Sequence, residues 1–271
     1  MFQNLRKSKK LLLIAMTCAT FAIAGCGSDT TKTTADNGTS VTWSETFDGT
    51  KTDFAVKSAP THAVSMSQAT TEMMLQLGLE DKMAGTAFKE EEIYPPLQAA
   101  YDKVKVLSEK WPSYEVFMSV KPDFATGWPD SFSKRAIPAD KMISQKVNIW
   151  IPESMLSTKA DLETNFSDMI ELGEIFGVKP KAEEWVAGQR KTLAAIQDKL
   201  KDLPRKRVFI YDSEDGQPFT AFEGYTTNIL KLIGADNVMS GLGVDKTWAK
   251  GSWETVIAQN PDYIIIADYG N

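Results

Sequence analysis

Two kinds of side chain in this sequence could build a binding site: flat aromatic faces, and charged groups placed just after short apolar runs. Seven tryptophans occur in 271 residues. Trp111, Trp128, Trp150, Trp248 and Trp253 fall at the ends of strand-like runs or in loops, whereas Trp185 sits inside a helical pattern. Indole faces suit a large planar or partly apolar ligand, and the ring N–H remains to orient it. Gln68, Glu153, Phe222 and Tyr225 occupy comparable places and complete the candidate ligand set. Lys110, Lys134, Arg135 and Lys250 share these loops and could meet an anionic ligand; Glu109 could meet a donor. Ordinary solvated surface charge explains each of those five as well.

Material for catalysis is scarce. The chain has one histidine, His62, and two cysteines, Cys18 and Cys26. It carries no G-x-S-x-G, H-E-x-x-H, P-loop or C-x-x-C pattern, so Ser–His and Cys–His chemistry have little material. A carboxylate pair for glycoside cleavage is compatible with 36 Asp and Glu, but nothing singles one out, and the chain reads as a non-enzyme. A lone His62 ahead of the first parallel strand reads as structural. No resident metal or cofactor is expected. The formal charge of −6 does not suggest a nucleic-acid partner.

The first residues belong to targeting rather than to the fold. Arg6, Lys7, Lys9 and Lys10 precede an apolar run from Leu11 to Ala24, shorter than the about 20 residues that span a bilayer. The run ends in Ile23-Ala24-Gly25-Cys26, which resembles the lipobox of bacterial lipoproteins. That resemblance implies a signal peptide over residues 1–25, lipidation (palmitate included) on Cys26, and an extracytoplasmic protein held to the cell membrane through lipid alone. Residues 26–40 are polar and aperiodic and read as a flexible tether. Without the leader's four basic residues, 26 basic and 36 acidic residues remain, a net −10. No thiol is then left for a disulfide, so the domain must hold together by its core.

These candidate residues need a scaffold. Val41 to Val56 alternates around Asp48-Gly49 and predicts a hairpin. Ala63–Met66, Met83–Thr86, Val104–Leu107, Phe124–Thr126 and Val147–Trp150 are short apolar runs separated by helical segments, the pattern of a parallel α/β layer. Ser67 is placed to cap a helix whose apolar face reads as Ala69, Met73, Met74 and Leu77, with Glu72 pointing away. Leu162, Phe166, Met169 and Ile170 share a helical face. Pro180 breaks the pattern. Val186, Leu193 and Leu200 then repeat by seven, predicting one long helix over about 181–203. Arg207–Tyr211 and Phe219–Phe222 read as strands, Thr226–Ile233 as a helix, and Tyr263–Ala267 as a buried strand. The organisation is α/β: a first lobe over 41–160, connecting helices over 161–204, and a second lobe over 205–271. No sequence repeat is strong enough to mark the lobes as duplicates of each other.

Four segments carry a resemblance to a known family. They are Ser65–Glu72 with Leu77-Gly78-Leu79; Tyr114-Glu115-Val116 with Lys121-Pro122-Asp123; Gly224–Thr227 with Leu232–Val238; and Ser252-Trp253-Glu254 with Asn260–Ile265. In this order, across residues 60–271, they resemble the solute-binding proteins of ABC importers for iron-siderophores, haem and cobalamin. The resemblance implies a class III fold, two α/β lobes on a long connecting helix. It implies a monomer that takes a ferric siderophore or corrinoid in an interlobe cleft and delivers it to a permease and its ATPase. A haem receptor of the same class, with Tyr225 or Tyr114 as iron ligand, and a non-transport surface lipoprotein are the alternatives. In this family an acidic residue on the first helix of each lobe docks on the permease. Glu72 fits that place; in the second lobe Asn228 stands where an acid is expected, with Glu223 nearby. Family members continue past the last strand matched here, which leaves open whether the second lobe is complete.

Overall fold

The computed structural model describes residues 40–268. The leader, Cys26, nearly all of the tether and Tyr269-Gly270-Asn271 lie outside the described residues. The expected hairpin forms: β1 (Val41–Phe47) pairs antiparallel with β2 (Thr50–Val56). Asp48 and Gly49 turn it with φ of 48° and 79°, the left-handed pair that a tight hairpin needs. Trp43 and Phe54 stack across the strands with centroids 5.7 Å apart.

All five strands expected in the first lobe form. In chain order the lobe runs β3 (Ala63–Ser65), α1 (Gln68–Gln76), β4 (Met83–Ala87), α2 (Gln98–Tyr101), β5 (Val106–Ser108), α3 (Tyr114–Ser119), β6 (Phe124–Thr126), α4 (Ala139–Ser144) and β7 (Asn148–Trp150). The sheet is wholly parallel with order β5-β4-β3-β6-β7. The order reverses between β3 and β6, which opens a crevice at their carboxyl ends.

Ser67 caps α1 by accepting the Thr70 N–H at 3.2 Å. The buried face of α1 differs from the expected one: Thr70, Thr71, Met74 and Leu75 are buried, while Ala69 and Met73 are half-buried. Threonine can face the core here because its hydroxyls are satisfied. Thr71 Oγ1 lies 2.8 Å from Ser65 Oγ and 2.6 Å from Thr86 Oγ1, and Thr70 Oγ1 lies 2.7 Å from Ser65 Oγ. The helix is thereby rotated from its hydropathy pattern, and Glu72 shares a side with Ala69 and Met73.

Two helices join the lobes, α5 (Leu162–Ile175) and α6 (Lys179–Leu200). Asp161 and Thr164 form a capping box on α5. Pro180 starts α6 rather than breaking a helix, because its missing N–H falls in the first turn. The 22 residues of α6 make it about 33 Å long at about 1.5 Å per residue. The helices meet closely at Gly173, where an added Cβ would come within 2.7 Å of the Ala182 Cβ. Of the seven-residue seam only Val186 is buried; Leu193 and Leu200 are half-buried and Ile196 is exposed.

The second lobe contains β8 (Lys206–Tyr211), β9 (Ser213–Glu214), β10 (Pro218–Ala221), α7 (Tyr225–Leu232), β11 (Ala235–Asn237), β12 (Trp248–Lys250), α8 (Trp253–Gln259) and β13 (Tyr263–Ile266). A parallel sheet of order β11-β8-β13 lies beside an antiparallel one of order β12-β10-β9. The expectation that the last strand is buried fails. Tyr263, Ile264, Ile265 and Ile266 are all exposed, by 47–65%. Among the described residues β13 pairs with β8 alone, and no element covers either face of its apolar run.

The lobes do share a local repeat. Ser113-Tyr114-Glu115 precedes Pro122-Asp123 by the same nine-residue Ser-to-Pro step that separates Ser252-Trp253-Glu254 from Pro261-Asp262. Each serine caps its helix, α3 or α8. Each helix is followed by a left-handed residue before the proline, Lys121 at φ 51° and Asn260 at φ 46°. Each motif then leads into a parallel strand, β6 or β13.

Candidate ligand-binding cleft

A cavity of about 710 Å³ is lined from both lobes and from the connecting helices. The first lobe contributes Ala69, Glu72, Met73 and Gln76 of α1, and then Tyr94 and Leu97. Trp128 enters just after β6, and Ser154 and Met155 from the turn after β7. The connecting helices supply Asn165, Met169, Trp185 and Gln189. The second lobe adds Glu223, Tyr225, Thr226, Thr247 and Trp248. Trp128 thus stands beside the switch point of the first sheet, where crevices in such folds take ligands.

Three expected ligand residues meet here. Trp128 and Trp248 face the cleft from opposite lobes, and Tyr225 opens α7 between them. Trp248 is steadied by stacking on Phe219, centroids 6.2 Å apart. Burial pushes the Tyr225 phenol above its ordinary value, and the Asp168 carboxylate adds to the shift. A protonated phenol keeps its O–H as a donor. Trp185 joins them although its helical setting suggested packing only. It is half-buried, edge-on to Phe166 at 6.2 Å, with its remaining face lining the cavity. Its place next to Val186, the one buried seam residue, is the signal that could have found it.

The other expected ligand residues are elsewhere. Trp150 is core, 1% exposed, and its Nε1 donates to Glu171 Oε2 at 3.0 Å. The hairpin covers this end of the sheet: Trp43 Nε1 donates to Ile149 O at 2.8 Å, and Glu45 Oε1 accepts the Ile151 N–H at 2.9 Å. A strand end that elsewhere would open on the cleft is therefore closed. Trp111 stacks on Phe88 at 4.6 Å and donates to Met66 O at 3.1 Å. Trp253 stacks on Tyr211 at 6.0 Å and donates to Glu214 Oε1 at 3.3 Å. Phe222 is buried in the second-lobe core. Gln68 works one step back from the cleft: its Nε2 donates to Glu72 Oε1 at 2.9 Å, and its Oε1 accepts from Glu90 N and Glu91 N at 2.9 and 2.7 Å. Glu153 lines a separate acidic hollow with Asp161, Glu163, Asp168, Glu171 and Glu174.

The basic candidates do not reach the cleft. Arg135 pairs with Asp130 at 2.6 Å and Lys250 with Asp215 at 2.8 Å; Lys110, Lys134 and Glu109 are exposed outside the lining. Tyr114 lies under the Lys141 ammonium, 5.7 Å from it. His62 is exposed, with its backbone N–H on Asp123 Oδ1 at 3.0 Å. Asn228 donates to Ala160 O at 2.8 Å, tying α7 to the connecting segment.

The two expected docking acids face the ligand space. Glu72 accepts the Tyr94 N–H at 3.2 Å as well as the Gln68 amide, both on Oε1. Glu223 accepts the Gly241 N–H at 2.8 Å on Oε1 and Ser240 Oγ at 3.1 Å on Oε2. Among the described residues no lysine, arginine or histidine lines the cavity. Among them also no helix is long and apolar enough to cross a membrane.

Two α/β lobes, a long helix between them and an aromatic cleft lined from both lobes are the architecture of a solute-binding protein. The chain belongs to the periplasmic binding protein family, whose model matches residues 64–270. A crystal structure of a periplasmic binding protein from Veillonella parvula dsm 2008 is 98% identical with a TM-score of 0.85, covering 86% of this chain and 79% of that one. YvrC of Bacillus subtilis (strain 168), described as an uncharacterized ABC transporter substrate-binding lipoprotein, is 26% identical over 97% of this chain and 82% of its own. A vitamin B12-binding protein of Vibrio vulnificus (strain YJ016) is 24% identical over 79% of this chain and 74% of its own.

Proposed function

We propose that this chain is the substrate-binding lipoprotein of an ABC importer. It captures a metal chelate of the ferric-siderophore or corrinoid kind between its lobes and delivers it to the permease, with the lipid on Cys26 keeping it at the membrane. The observation that carries the reading is the aromatic cleft. Trp128, Trp185, Trp248, Tyr94 and Tyr225 come from both lobes and a connecting helix around about 710 Å³, a volume within the range of small-molecule sites. The relatives' descriptions, one an ABC substrate-binding lipoprotein and one a vitamin B12-binding protein, point the same way.

For docking on the permease, Glu115 and Glu254 are the better acids. Each occupies the same position of the repeated Ser-x-Glu motif, one per lobe, and both are exposed. Hydrogen bonds from its own backbone N–H and from Ser113 hold the Glu115 carboxyl below its ordinary value, so it stays charged. Glu72 and Glu223, by contrast, are committed to the cleft.

Tryptophan fluorescence tests the ligand class. Titration with a ferric trihydroxamate or with cobalamin should quench emission and saturate at one ligand per protein. Flat titrations with both would overturn the chelate reading and favour a surface lipoprotein without a transport role. A haem receptor is the weaker alternative: Tyr225 does line the cleft, but its burial opposes the phenolate that binds iron.

A further inference from the structure

The charge of the cleft is one-sided. Glu72 on α1 and Glu223 just before α7 bring two carboxylates to it from opposite lobes, and among the described residues no cationic side chain lines it. Lys89, Lys159 and Lys246 are exposed on neighbouring loops and do not contribute to the lining. Arg135 and Lys250 are held by Asp130 and Asp215. The neutral polar groups of the lining, such as Gln76, Asn165 and Gln189, carry both donors and acceptors. They can hold amides of either sense but cannot neutralise an anion.

We infer, building on the chelate reading above, that the cleft selects uncharged or cationic chelates whose amide or ammonium N–H groups are accepted by Glu72 and Glu223, and rejects chelates that carry free carboxylates. The geometry supports this at each carboxylate. Both protein hydrogen bonds to Glu72 fall on Oε1, which leaves Oε2 to a ligand donor. The backbone N–H of Gly241 and the Ser240 hydroxyl fix Glu223 in place. A ligand carboxylate entering between these acids would lose its hydration, meet like charge from both lobes and find no counter-ion. An ammonium in the same place would gain two carboxylates and the faces of Trp128 and Trp248.

The test varies charge on one scaffold. A linear ferric trihydroxamate is prepared with a free terminal ammonium, with that amine acetylated, and with it succinylated so that it ends in a carboxylate. Each form is titrated into the full chain by tryptophan quenching and calorimetry. The ammonium and acetyl forms should bind, and the succinyl form about tenfold more weakly or worse, as expected for like charge in a desolvated site. Replacing both acids with amides (Glu72→Gln with Glu223→Gln) should narrow that gap. Binding of the acetyl form by this variant reports that the cleft is intact. Equal or tighter binding of the succinyl form by the wild type overturns the inference and leaves the chelate reading standing. Failure of all three forms, and of cobalamin, overturns the chelate reading and this inference with it.

Discussion

Asp123 and Asp262 hold the same station in the two lobes. Asp123 accepts the Thr61 N–H on Oδ2 at 2.8 Å and the His62 N–H on Oδ1 at 3.0 Å, just before β3. Asp262 accepts the Arg207 N–H on Oδ2 at 2.8 Å, at the start of β8. The backbones reciprocate: Asp123 N donates to His62 O and Asp262 N to Arg207 O. β3 and β8 each have a neighbour on both sides. So in both lobes a Pro-Asp turn locks the edge of a helix–strand unit to the beginning of an interior strand.

The lock predicts a stability difference between the lobes' variants. Asp123 also accepts the Thr61 hydroxyl at 3.0 Å, so Asp123→Ala removes three hydrogen bonds where Asp262→Ala removes one to a backbone N–H. Asp123→Ala should cost about 1–3 kcal/mol and Asp262→Ala less. Urea titration followed by circular dichroism measures both; equal losses would show that the two turns are not graded by their bonds.

The first-lobe strands are legible because each is a short apolar run between turn residues; β3, β4, β6 and β7 are largely buried, and only the edge strand β5 is open to solvent. The two aromatic cleft walls, Trp128 and Trp248, are legible by their place after or at strand ends. Trp150 is not, since its cover comes from a hairpin over 100 positions away, through the Trp43–Ile149 and Glu45–Ile151 bonds. The helix face of Glu72 is misread because threonines normally count as surface, and here a hydroxyl network among Ser65, Thr70, Thr71 and Thr86 puts them inside. The repeat between lobes escapes notice because only Ser, Glu, Pro and Asp recur in it, too few to stand out without the backbone.

Two buried acids give the fold a pH dependence. Burial raises the Glu45 carboxyl from 4.5 to about 7, with Glu171, Glu153 and Asp168 adding to the shift against the Ile151 N–H. Burial likewise raises Asp168 from 3.8 to about 6, opposed by hydrogen bonds from Ser154 and Glu153. A folded value above the unfolded one means that the native state binds the extra proton. The corresponding stability is fully present below the unfolded values and lost as pH rises through about 6 for Asp168 and about 7 for Glu45. The melting temperature should therefore fall from pH 5 to pH 8. Glu45→Gln keeps an acceptor for Ile151 and should remove part of that fall, on the order of 2 kcal/mol. A slope identical to the wild type in that variant would exclude Glu45 as a source.

The placement of the indoles predicts which of them report on ligand. Trp128→Ala and Trp248→Ala each remove an aromatic face from the cleft and should weaken chelate binding about tenfold, near the upper end of what an aromatic contact contributes. Trp111→Phe and Trp253→Phe lie outside the lining and should leave affinity unchanged. Calorimetric titration of the four variants decides it; a loss confined to Trp111 or Trp253 would move the site away from this cavity.

Capture and delivery should separate at two pairs of acids. Glu115 and Glu254 lie at matched, exposed helix starts, where a carboxylate is favoured by the first-turn N–H groups and does not touch the cleft. Glu115→Arg with Glu254→Arg should leave chelate affinity and melting temperature within error and abolish chelate-dependent growth of the host, because reversed charge repels a basic permease surface. Glu72→Arg with Glu223→Arg should instead change affinity itself, since both side chains line the cavity. Growth and calorimetry run on the same four-residue set distinguish the roles. Normal growth of the first pair, or unchanged affinity of the second, would show that docking and binding are not divided between these two pairs.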